Sequence, residues 1–143
     1  MLKFDTNGVA AALVKAGVGL PEDFSIADRS YAAMQQGFLE QAFSESLKKW
    51  VLELGIRYQQ ECEDCDDFAR FAASVAQLWN AKSANEGHAL AFGEFWYVKD
   101  NGDAHAINIA LVEGGKVVFY EPQTQRIVEL SEIEKWNATM IRF

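Results

Sequence analysis

Between Phe38 and Leu54 the residues Phe38, Leu39, Ala42, Phe43, Leu47, Trp50, Val51 and Leu54 recur at i, i+3, i+4 and i+7. That stripe predicts an amphipathic helix. Gly55 follows where a C-terminal glycine belongs. A second stripe, Phe68, Phe71, Ala72, Val75, Ala76, Leu78 and Trp79, predicts a helix running to about Ala81. Asp64 is a good N-cap for it and Asp67 can answer three residues on, which makes Cys65 the first helical residue. Upstream, a polar Asp5-Thr6-Asn7-Gly8 turn leads into an Ala/Val-rich helix ending at Gly17 or Gly19. Leu20-Pro21-Glu22-Asp23 breaks it. Ser25 or Asp28 then caps an expected helix carrying Tyr31 and Met34, which Gly37 separates from the next. Ile56 to Glu63 reads as a linker.

The pattern changes after the polar stretch Lys82 to Gly87. Ala89 to Lys99 reads as a strand, Asp100-Asn101-Gly102-Asp103 as a hairpin turn, and Ala104 to Val112 as a second strand. Gly114-Gly115 marks another turn before strands at Lys116 to Glu121 and Arg126 to Leu130. Ser131 to Trp136 reads as a short capped helix and Thr139 to Phe143 as a last strand. Helices first and antiparallel strands second predict the α+β class, as a single domain over 1–143 with a helical part to residue 57.

Composition narrows the function. The 143 residues are half hydrophobic, with four Trp and ten Phe, enough for a full core. A formal charge of -8 argues against nucleic acid, whose phosphates need basic patches. No apolar run approaches the roughly 18 residues of a membrane span, and the start lacks a signal-peptide plan. The expected location is cytoplasmic, without a membrane partner. Two cysteines make no disulfide framework.

The chemistry concentrates at Glu61-Cys62-Glu63-Asp64-Cys65-Asp66-Asp67. A helix N-terminus stabilises a thiolate, so Cys65 is a candidate nucleophile. The surrounding carboxylates oppose this by raising a thiol's pKa. Either Cys65 is no nucleophile, or a hard cation such as Ca2+ cancels the charge; the acids can also simply complement the helix dipole and face water. His105 opens one strand and Glu121 ends the next, so cysteine, histidine and an orienting acid fall on three successive elements. His88, at a loop-to-strand junction, has no acid at an obvious register and is not expected to act as a base.

Such a triad needs His105 and Glu121 on one sheet face. A three-residue loop Val112-Glu113-Gly114, with Gly114 left-handed, pairs Leu111 with Gly115 and sets His105 opposite Glu121. The same register pairs Ile107 with Phe119 and Ile109 with Val117, an apolar face expected to pack on the Cys65 helix.

Cys65-Asp66-Asp67-Phe68-Ala69, His105-Ala106-Ile107-Asn108 and Tyr120-Glu121-Pro122-Gln123-Thr124 together resemble the papain-like, calcium-dependent cysteine protease domain of fungal agglutinins. More distantly, the Cys-Asp-Asp-Phe-Ala block is similar to bacterial transglutaminase-like cysteine proteinases. The resemblance implies a papain-like fold and a hydrolase cleaving peptide or other amide bonds, a thiol protease or amidase mechanistically related to transglutaminases. It implies Cys65 as nucleophile, His105 as base, Glu121 as the residue orienting it, and Asp66 and Asp67 as Ca2+ ligands. A peptide or protein would be the substrate. Gln59, six residues before Cys65, resembles the oxyanion donor of papain-like enzymes, with Gln60 as a competing choice; such a donor is worth about 2.7–4 kcal/mol. The sugar-binding β-trefoil of those agglutinins is not matched, so the resemblance implies no sugar binding. Two other readings stand beside it. One is a redox site built on Cys62-Glu63-Asp64-Cys65, which its acidic residues oppose. The other is a non-catalytic binding or structural module retaining the papain-like fold.

Overall fold

The structure, a computed structural model, describes residues 2–59, 64–82 and 87–143. The chain runs β1 (Lys3–Phe4), α1 (Thr6–Lys15), β2 (Asp23–Ser25), β3 (Tyr31–Ala32), α2 (Gln36–Phe38), α3 (Ser44–Glu53), α4 (Cys65–Lys82), β4 (Ala89–Leu90), β5 (Phe92–Val98), β6 (Ala104–Val112), β7 (Lys116–Glu121), β8 (Arg126–Val128), α5 (Glu132–Trp136) and β9 (Ala138–Arg142). A π-helical turn, Leu39–Phe43, joins α2 to α3. The class is α+β. Six strands form one sheet in the order β2-β9-β5-β6-β7-β8, antiparallel except for the β2–β9 pair, and β1-β3-β4 form a second. Among the described residues no helix is long and apolar enough to cross a membrane.

Local chemistry explains most boundaries. Asp5 caps α1 by accepting from the Gly8 N–H at 2.7 Å, so the expected Asp5–Gly8 turn is the first turn of the helix. Ser131 and Glu134 form a full capping box on α5. The long amphipathic helix is present, but bulged: the Ser44 hydroxyl donates to the Leu39 carbonyl at 2.7 Å and meets the buried Tyr120 hydroxyl at 2.8 Å. Gly37 lies within α2 and does not separate two helices.

The stretch around Tyr31 and Met34 corrects the sequence expectation. It forms no helix: Tyr31–Ala32 is a strand between β1 and β4, and Met34 bridges Val112. The part before residue 57 is therefore not wholly helical. Three-residue spacing of two apolar side chains suits a helix, but here distant strands supply the hydrogen bonds and bury both residues. The strand expected over Ala89–Lys99 is broken at Ala91, where the chain passes from the small sheet to the large one.

Side-chain alternation divides the core into two layers. Ile107, Ile109, Leu111 and Phe119 pack with Val9 and Leu13 of α1. Ala110, Val112, Val118 and Tyr120 pack with Ala72, Val75 and Ala76 of α4 and with Phe43 and Leu47. The expected packing of the Ile107–Ile109 face on the Cys65 helix is thus corrected: that face belongs to α1. The register is corrected too. Ile109 pairs with Phe119 and Val112 with Lys116, around a loop of Glu113, Gly114 and Gly115 with both glycines at positive φ. The pairing is offset by two residues from the expected one. An even offset leaves every side chain on its expected face, so Glu121 stays on the His105 side.

Candidate functional site

The site lies where the N-terminus of α4 meets the start of β6. Helix α4 is anchored to the sheet by Asn108, fully buried, whose amide donates to the Ala69 carbonyl at 2.7 Å and the Gly93 carbonyl at 3.0 Å. This fixes Cys65 beside β6, where the Ala106 backbone N–H donates to its sulfur. The thiol is pushed above its ordinary range, first by burial and then by the Asp64 and Asp66 carboxylates, with the Ala106 bond opposing them.

His105 Nε2 and Glu121 Oε2 lie 2.7 Å apart, both side chains largely buried. Glu121 also accepts from the Gln123 N–H at 3.1 Å, which fixes the carboxylate. His105 is the cross-strand partner of Tyr97, with ring centroids 5.9 Å apart edge-to-face. Burial and the carboxylates of Glu134 and Glu121 push the Tyr97 hydroxyl up to about 12, so it stays protonated. Among the described residues no hydrogen bond joins the Cys65 sulfur to the His105 ring. The structure therefore brings His105 and Glu121 together and places Cys65 next to the backbone of the following residue, Ala106.

The acids form the second part. Oxygens of Asp64, Asp66 and Asp67 lie within 4.8 Å of one another. One Asp64 oxygen is buried without a hydrogen-bond partner. Asp66 is raised above the usual carboxylate range by a side-chain hydrogen bond to Asp64, then by burial and the neighbouring charges, with Arg70 opposing. Arg70 was missed at the sequence level, although its spacing is visible there. It reaches Asp66 at 3.3 Å and Asp67 at 3.4 Å, the i,i+4 and i,i+3 positions of one helix face. It also lies 3.8 Å from the buried Glu94. No local pattern announces Glu94, because β5 supplies it through the tertiary fold.

Gln59 is exposed. Gln60, Glu61, Cys62 and Glu63, and with them the Cys62–Cys65 motif and the Gln60 alternative, lie outside the described residues. His88 sits apart, its Nδ1 2.8 Å from the Ser30 hydroxyl and its carbonyl accepting from Asn80.

Solved structures share this fold. One, the PSL1a-E64 complex, superposes with a TM-score of 0.77 at 25% identity over 99% of this chain and 50% of its own. Another is Polyporus squamosus lectin bound to the human-type influenza-binding epitope Neu5Aca2-6Galb1-4GlcNAc, with a TM-score of 0.76 at 24% identity over the same shares. This chain thus spans half the length of those chains. Neither a family model nor a curated protein sequence matches it.

These findings correct the expectation of a papain-like, calcium-dependent cysteine protease domain. One of the similar structures is named as a lectin and holds a glycan. The hydrolase, protease, amidase and transglutaminase readings fall with it, as does a peptide substrate. Beside this, burial and the Asp64 and Asp66 carboxylates push the Cys65 thiol up, away from the lowered range of activated cysteines.

Proposed function

We propose that the chain is a non-catalytic binding module, a papain-like arrangement of helix and sheet used to hold a ligand without turning it over. The observation that carries this is the glycan-bound lectin structure that the fold matches over nearly the whole chain. A glycan is accordingly the first ligand class to test, although the ligand named there belongs to a chain twice as long. Cys65, His105 and Glu121 serve in this reading as fixed polar groups around the start of β6. The neutral thiol and the carboxylate-bound imidazole suit hydrogen bonding to a ligand better than attack on one.

Calcium is proposed as a structural partner of Asp64, Asp66 and Asp67. Their donor set fits a hard cation, which takes carboxylate oxygens at about 2.3–2.6 Å. The buried, unpaired Asp64 oxygen and the crowding of carboxylates that raises Asp66 both mark negative charge that a cation would neutralise.

Isothermal titration with Neu5Aca2-6Galb1-4GlcNAc, paired with incubation of denatured casein with and without calcium, tests the module. Saturable glycan binding with intact casein is expected. Casein cleavage that disappears in Cys65→Ala would overturn the non-catalytic reading, and no glycan binding at millimolar concentration would remove the ligand class.

A further inference from the structure

Arg70 is shared among three carboxylates and holds none of them tightly. Its guanidinium lies 3.3 Å from Asp66, 3.4 Å from Asp67 and, through Nε, 3.8 Å from Glu94. Charge-assisted N–H···O bonds close at about 2.7–2.9 Å, so each of these contacts is slack. Among the described residues, every ion pair of Asp66, Asp67 and Glu94 runs to this one side chain.

The two ends of that arrangement differ. Asp66 and Asp67 project from α4 and remain partly open to water, whereas the Glu94 side chain on β5 is only 11% exposed. A carboxylate at that depth has lost most of its hydration and needs a close counter-charge. The other contact of Glu94 is the Trp96 indole N–H at 3.4 Å, a long and neutral donor. The cation that could neutralise Glu94 is therefore drawn off by two aspartates that water already serves. Those aspartates, with the unpaired buried oxygen of Asp64, make the donor set assigned above to calcium. The Arg70 side chain is 51% exposed and has room to move between the two ends.

We propose that Arg70 is the internal competitor of calcium at the α4 acids, and that Glu94 is the carboxylate to which it is released. The inference rests on the calcium reading and adds its regulation. Arg70 gives up the oxygens of Asp66 and Asp67 when an ion enters, and neutralises Glu94 instead. Occupancy at the start of α4 is thereby coupled to a buried charge in β5. The coupling is reciprocal: whatever draws Arg70 toward Glu94 tightens calcium binding by the same factor.

Isothermal titration of the whole chain with calcium chloride is the test, on the wild type, Arg70→Gln, Glu94→Gln and the double variant. Arg70→Gln should bind calcium about fivefold more tightly, because two exposed ion pairs no longer have to break. Glu94→Gln should bind about twofold more weakly or worse, because the displaced guanidinium loses its acceptor. In the double variant the Glu94 substitution should change nothing beyond Arg70→Gln, since Glu94 acts only through Arg70. Circular dichroism checks that the variants fold, and Arg70→Gln alone decides the competition should Glu94→Gln fold poorly. A wild type that binds calcium, with Arg70→Gln no tighter, overturns the competition and leaves the calcium reading standing. Strictly additive effects in the double variant also overturn it, because they show only the general field of two charges. If neither the wild type nor Arg70→Gln binds calcium at millimolar concentration, the calcium reading fails and the inference goes with it.

Discussion

The Asn108 amide joins two layers of the protein: it holds the Ala69 carbonyl near the start of α4 and the Gly93 carbonyl in β5 with one nitrogen. Its oxygen is buried without a partner. Asn108→Ala should cost about 2–3 kcal/mol, from two lost hydrogen bonds and a small cavity. Asn108→Asp should cost more, because a carboxylate would face two carbonyls with no proton to donate. Urea unfolding at unchanged m-value measures both. A smaller loss for Asp than for Ala would contradict the assigned donor.

The raised Cys65 thiol makes a kinetic prediction. In a Cys62→Ser background, iodoacetamide at pH 7.5 should label Cys65 more slowly than a free cysteine peptide, because less thiolate is present. The rate should climb only as pH passes beyond the ordinary thiol range. Labelling faster than the peptide, or a plateau below pH 7, would show a thiolate that this environment does not favour.

Asp66 predicts an unusual pH dependence. Its folded-state pKa is raised, so in chelator, at pH between the unfolded value of 3.8 and the higher folded value, the folded protein binds more proton at this site than the unfolded chain. Its contribution to stability is then fully present below the unfolded value of 3.8 and is lost as pH rises through the higher folded value. Asp66→Asn should remove that loss and raise the melting temperature at pH 7 in EDTA. With millimolar calcium the wild type should gain melting temperature by ligand linkage, and the variant should gain less. Equal calcium shifts in both proteins would remove Asp66 from the site.

Tyr120 and Ser44 test the helical bulge. Burial pushes the Tyr120 hydroxyl up to about 12 while Ser44 holds it the other way. Tyr120→Phe should cost about 1 kcal/mol, one net buried hydrogen bond. Ser44→Ala should cost about as much or slightly more, since the hydroxyl also satisfies the Leu39 carbonyl in the π-helical turn. A double-mutant cycle should then show coupling between the two positions. Strict additivity would deny the bond.

What the sequence by itself determined was local. Strands β6 and β7 and helices α4 and α5 follow from alternation, helical spacing and the Ser131 capping box, all of which act within a few residues. Side-chain parity was equally readable: a loop of three residues rather than two keeps His105 and Glu121 on one face whichever residues occupy it. Tertiary structure decided the rest. Tyr31 and Met34 lie in strand and bridge because β1, β4 and Val112 pair with them, and no neighbouring residue encodes those partners. Which face α1 covers and which α4 covers is a choice between two apolar surfaces of similar character. Asn108 settles that choice by binding Ala69, a contact across 39 positions. The same contact sets Cys65 beside Ala106, where burial and two aspartates keep the thiol neutral. The motif supplied residue types in the right order, but the chemistry open to them depended on desolvation and charge that only the folded chain brings together.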